Sequence, residues 1–210
     1  MLSLSALGAG TCNYYLKRLH SLTGLLPVGA FLVIHFVLNS FALGGPHRYD
    51  AMVHTLHKIP IVPALEIIVL LVPIAFHAIY GLVVTFQATS NVGTYGYYSN
   101  WMYLWQRVTG VIALVFIVYH VFTTRIANII YGTPMDYAFM ASVLSHPVVF
   151  VWYVIGVLAA VFHFGNGLWS MGISWGITAA PECQKVWRWI CTAIGVMVAI
   201  WGVGLLMVYR

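Results

Sequence analysis

Charge is what this sequence has least of. Nine basic and four acidic residues serve a chain of 210, 6% in all, against roughly 25% in a soluble domain. Thirteen charges cannot coat a water-facing surface of that size, so a soluble globular fold is excluded. The basic residues are scattered, with no block that would grip a nucleic acid. Cysteine is scarce too. Cys12, Cys183 and Cys191 form neither C-x-x-C nor C-x-x-C-H, which argues against an iron–sulfur cluster, a zinc site and covalently attached haem. An odd, unpatterned count gives no disulfide framework either. The opening "MLSLSALGAGT" lacks a basic start and a small-residue cleavage site. Residues 1–13 therefore read as an N-terminal extension rather than a signal peptide.

Hydrocarbon is what the chain has in abundance: 62% of residues are hydrophobic and mean hydropathy is +0.93. Apolar runs recur five times, near 22–43, 61–86, 104–130, 147–172 and 187–209. Each is long enough to cross a bilayer, which takes about 20 residues at about 1.5 Å apiece. The runs do not alternate, so a β-barrel is not indicated. Between them lie polar or turn-rich stretches, "GGPHRYDAMVHTLHK", "QATSNVGTYGYYSN", "YGTPMDYAF" and "TAAPECQK". The pattern predicts an all-α membrane protein, a five-helix transmembrane bundle forming one domain over 1–210. Trp101, Trp105, Trp187, Trp189 and Tyr209 fall near span ends, as an interfacial aromatic belt would. An odd number of spans puts the termini on opposite sides. Five basic residues on the N-terminal side against four on the other leave the orientation undecided.

Polar residues inside spans carry the chemistry. Of nine histidines, four lie deep in the apolar runs: His35, His77, His120 and His163, one in each of the first four spans and separated by 42, 43 and 43 residues. A single such histidine commonly bonds a neighbouring helix; four in series ask for more. "FHAIYGL" and "FHFGNGL" share Phe-His-x-x-x-Gly-Leu, and "TGLLPVGAFLVIH" and "TGVIALVFIVYH" share a Thr-Gly start followed by a histidine. Span one thus resembles span three, and span two resembles span four. Successive spans run in opposite directions, so His35 and His120 fall in the half of the membrane far from the N-terminus, His77 and His163 in the near half. The two levels differ by roughly 10–15 Å at helical rise. No cysteine or carboxylate accompanies either pair. Haem supplies four nitrogens of its own and asks the protein for two axial ligands, so two stacked bis-histidine haems fit. Gly81 and Gly167, one turn beyond His77 and His163, would give the flat rings room. Pro27 and Pro73 would kink their spans.

The segments "RLHSLTGLLPVGAFLVIH", "ALEIIVLLVPIAFHAIYG", "NWMYLWQRVTGVIALVFIVYHV" and "VFHFGNGLWSMGISWGIT" resemble the di-haem cytochrome b membrane anchor of succinate:menaquinone oxidoreductases of the Bacillus type. The resemblance runs from about Asn13 to the end. It implies a subunit in the bacterial cytoplasmic membrane, N-terminus inside, docked to a flavoprotein and an iron–sulfur protein. It implies electron flow from succinate through a proximal haem on His77 and His163 and a distal haem on His35 and His120 to menaquinone. No acid neighbours His163, unlike fumarate-reducing relatives that carry a glutamate there. Arg125 is a candidate for a distal propionate. Arg18 and Ser21, with His20, are candidates for a proximal propionate or for the iron–sulfur partner. His47, Asp50, His54 and His57 are candidates for the quinone side, and Glu66 for proton uptake. An anchor for another membrane dehydrogenase, such as a hydrogenase, and a transporter relaying protons through its histidines stay open at this point.

Overall fold

In a bilayer a backbone must satisfy its own hydrogen bonds, and long runs of Leu, Val, Ile and Ala do so by coiling. The computed structural model describes the backbone of residues 4–210 and the side chains from Asn13 on; residues 1–3 and the side chains of the rest of the extension, Cys12 included, lie outside the described residues. Seven helices follow in order. α1 spans Asn13–Gly44, its backbone helical from Leu4. α2 is Pro46–His57, α3 Val62–Gln87 and α4 Tyr98–Tyr131. α5 is Tyr137–Ser145, α6 Pro147–Ser174 and α7 Pro181–Val208. Five of them, α1, α3, α4, α6 and α7, are long and apolar enough to cross a membrane. No strand occurs among the described residues.

Two stretches expected to be loops are helical. Gly45, at φ 88°, turns the chain, and Pro46 then starts α2 with its φ already fixed. Asp136 caps α5, its Oδ1 accepting from the Phe139 N–H at 2.8 Å. Asp50 on α2 accepts from the Tyr137 N–H, also at 2.8 Å, and so ties the two short helices together.

Three spanning helices widen locally into π turns, at Gly24–Gly29, Glu66–Leu71 and Phe122–Ile126. The first contains Pro27 and the second is followed at once by Pro73, each of which removes one backbone donor. The third contains no proline. There the Thr123 and Thr124 hydroxyls bond back to the carbonyls of Tyr119 and His120 and loosen the ladder.

α6 is the hub, with α4 and α7 packed along it. Gly165 lets α6 and α7 approach until a β-carbon there would stand 3.3 Å from the Gly195 Cα. Phe36, Phe116, Leu144, Tyr153, Val161 and Tyr209 belong to one buried cluster. Tyr209 therefore departs from the expected aromatic belt. It is 4% exposed, donates to Asn39 Oδ1 at 3.2 Å and meets Tyr49 edge to face. Burial pushes the Tyr49 hydroxyl above the ordinary tyrosine range. α3 is the opposite case. None of its residues is buried, and Ile68, Ile79 and Phe86 stand on an open flank suited to lipid.

Candidate functional site

The near pair of histidines comes from α3 and α6. The His77 and His163 ring centres lie 6.0 Å apart with planes at 85°. Main-chain carbonyls hold both rings: His77 Nδ1–H donates to the His20 carbonyl of α1 at 2.9 Å, and His163 Nδ1–H to the Gln106 carbonyl of α4 at 2.9 Å. With the proton on Nδ1, each Nε2 keeps a free lone pair, the form in which imidazole binds a metal.

This arrangement explains the repeated Thr-Gly. Each glycine lies four residues after the carbonyl in question. A β-carbon on Gly24 would run into the His77 ring, and one on Gly110 would stand 2.8 Å from His163 Cε1. The preceding hydroxyls bond back along their own helices, Thr23 to the Leu19 carbonyl at 2.8 Å and Thr109 to Trp105 at 2.6 Å. One six-residue passage thus offers a carbonyl and a clearing to a histidine on the next helix, and the chain uses it twice. Gln106 adds a clamp that the sequence did not announce. Its Nε2 donates to the His163 carbonyl at 3.0 Å, and its Oε1 accepts from Asn166 at 2.7 Å.

The far pair comes from α1 and α4. His35 and His120 have ring centres 5.9 Å apart and planes at 76°. The Nδ1 of His120 faces the Tyr153 hydroxyl at 3.2 Å. Asn39 donates to His35 Nε2 at 3.3 Å and, more closely, to the His35 carbonyl at 2.8 Å.

Both pairs have the spacing of two imidazoles with a metal between them, although at the far pair the Asn39 amide would have to release His35 Nε2. Two metal–nitrogen bonds of about 2 Å leave ring centres about 6 Å apart, which is the spacing found twice here. Among the described residues no cluster of three histidines, cysteines or carboxylates could hold a metal ion. The donor set is thus two imidazoles per site, enough only for a metal that brings further ligands with it.

Other candidate residues fall as follows. Gly24 and Gly110 border the histidine rings; a β-carbon on Gly81 would stand 3.1 Å from His20 Nε2, and one on Gly167 3.5 Å from Gln106 Nε2. His20 stacks on His77, ring centres 4.2 Å apart, and its Nε2 is buried with no hydrogen-bond partner. Arg18 lies over the rings of Tyr14 and Trp175, each at 5.0 Å, and Ser21 Oγ accepts from Trp175 Nε1 at 3.0 Å. Arg125 and Glu66 form an ion pair; Nη2 and Nε of Arg125 donate to Glu66 Oε2 at 2.6 and 3.0 Å. His47 lines an open groove of about 940 Å³ with Val37, Phe41, Leu43, Arg48 and Met52. His57 bonds the Val53 carbonyl of its own helix at 3.0 Å, and His54 is exposed on the same helix.

Comparison with known proteins agrees over most of the chain. The family model described as succinate dehydrogenase/fumarate reductase transmembrane subunit matches residues 88–204. The succinate dehydrogenase cytochrome b558 subunit of Bacillus subtilis (strain 168) is 41% identical over 201 residues, covering 96% of this chain and 98% of that one.

Proposed function

The chain belongs to the succinate dehydrogenase/fumarate reductase transmembrane subunits, and from that premise we propose that it carries two haems b and passes electrons toward menaquinone. It is a multi-pass membrane anchor of a succinate dehydrogenase. The observation that carries the proposal is the pair of imidazole pairs, each about 6 Å across, one from α3 and α6 and the other from α1 and α4. His77 and His163 would hold the proximal iron and His35 and His120 the distal one. A haem taking both imidazoles of a pair as ligands would supply one-electron transfer.

The chain's own residues do the rest. The His20 and Gln106 carbonyls fix the proton on Nδ1 of the proximal rings and so hold Nε2 ready as a ligand. Arg18 and Ser21, gathered around Trp175, are our candidates for a proximal propionate. Arg125 would divide its five N–H donors between Glu66 and a distal propionate. We assign the N-terminal side to the cytoplasm, with the flavoprotein and iron–sulfur subunits docked there. Electrons would then enter at the His77–His163 end and leave at the His35–His120 end. The groove beside His47 and Arg48, apolar on its Val37, Phe41 and Leu43 wall, suits a quinone ring and tail at the exit.

Haem content per polypeptide tests this reading. His163→Ala is expected to leave one haem of two, with the distal absorption band unchanged. A complex that still holds two, or an unaltered complex that holds none, would end the ligand assignment.

A further inference from the structure

The four candidate ligands are not held alike. Both proximal rings donate Nδ1–H to main-chain carbonyls, His20 and Gln106, each at 2.9 Å. His120 turns the same nitrogen to a side chain, the Tyr153 hydroxyl, at 3.2 Å. Tyr153 comes from the hub helix and is 2% exposed. Its ring is gripped edge to face by Phe116 at 5.2 Å and by Tyr119 at 6.3 Å, so the hydroxyl is presented on a fixed arm. His120 itself is wedged between Phe116, stacked at 5.8 Å, and Tyr153, perpendicular at 5.6 Å.

We propose that Tyr153 is the positioning residue of the distal haem, setting the rotation of the His120 ring and the basicity of its ligating nitrogen, a role the proximal site gives to its backbone. This rests on the two-haem reading above. If His120 binds iron through Nε2, its Nδ1 carries the proton and the phenolic oxygen accepts it. A hydrogen bond accepted from Nδ1–H makes the imidazole a stronger donor to the metal. A stronger donor favours the ferric over the ferrous state, so the bond lowers the potential of that haem. A carbonyl cannot be altered by substitution, whereas a hydroxyl can. The asymmetry therefore makes the distal potential adjustable by sequence at one position while the proximal one is fixed by the fold.

Tyr153→Phe removes the acceptor and keeps the ring. In the whole complex, haem content stays at two. Redox titration followed by optical and low-temperature EPR spectra reads each haem separately. The distal haem becomes easier to reduce, its reduced-to-oxidised ratio at fixed ambient potential rising about tenfold, which is 59 mV for one electron, and its EPR signal moves as the ring is freed to rotate. The proximal haem does not change. Tyr119→Phe, which removes a neighbouring hydroxyl that bonds neither ring, leaves both potentials in place. Two haems with both potentials unmoved in Tyr153→Phe would overturn the assignment, as would a shift shared equally by the two haems. Absence of haem from the unaltered complex would instead overturn the reading on which it rests. Should Tyr153→Phe fail to assemble, the native complex grown with fluorinated tyrosine serves: its phenolic oxygens accept more weakly, and only the distal haem is expected to shift upward. No shift, or an equal shift of both haems, in that material overturns the proposal too.

Discussion

At Gly110 a β-carbon would stand 2.8 Å from the His163 ring, inside the separation at which carbon atoms attract. Gly110→Val must push that ring aside, and one haem of two is expected to be lost while the distal one persists. His20→Ala makes the contrast. The hydrogen bond to His77 comes from the carbonyl of residue 20 and survives the loss of the stacked imidazole, so this variant should retain both haems. Haem content and resolved absorption bands check the pair; two haems in Gly110→Val, or one in His20→Ala, would contradict the geometry. The four mid-span histidines were legible in the sequence because a polar ring stands out in hydrocarbon. Their partners were not. A carbonyl has no letter of its own, and Tyr153 is one tyrosine among 13. The Thr-Gly repeat was visible, but its purpose, a clearing opposite a ring on another helix, appears only when the helices are brought together.

Helices that cross the membrane announce themselves by composition, and all five were readable. The two that lie between them were not. α2 and α5 have 12 and 9 residues, too short for a span, and their polar residues read as loop. What makes them helical is punctuation and tethering: Pro46 at one start, the Asp136 cap at the other, and the Asp50 bond to the Tyr137 N–H between them. Asp50→Ala removes that tether and leaves a part-buried donor without its partner, a loss of about 1–3 kcal/mol. Faster amide exchange over residues 137–145 is expected, with exchange in α6 and α7 unaltered. Protection unchanged in α5 would show that the tether is dispensable. The π turns were only half legible. Pro27 and Pro73 marked two of these places as kinks, whereas the third depends on two threonine hydroxyls that bond back along their own helix.

Across the whole bundle, α3 and α4 are joined by the Glu66–Arg125 pair. A charge left alone in hydrocarbon costs more than either a pair or no charge at all. Glu66→Gln and Arg125→Gln should each lower the melting temperature of the detergent-solubilised complex. The double variant should melt closer to the native complex than the sum of the two losses. Strictly additive losses would mean that the pair is not a coupled unit. The remaining ties of α3 are few. It seals no side chain inside the bundle, and it reaches α1 through the His77–His20 bond and a Tyr80–Asn13 bond at 3.1 Å. A haem held between His77 and His163, as proposed above, would be a rivet between α3 and α6 as well as a wire. In a cell short of that haem, α3 would be the stave held least firmly in the cask, its His77 left with one main-chain bond. Supply of the pigment would then govern how many copies of the polypeptide survive, before it governs how many electrons they carry.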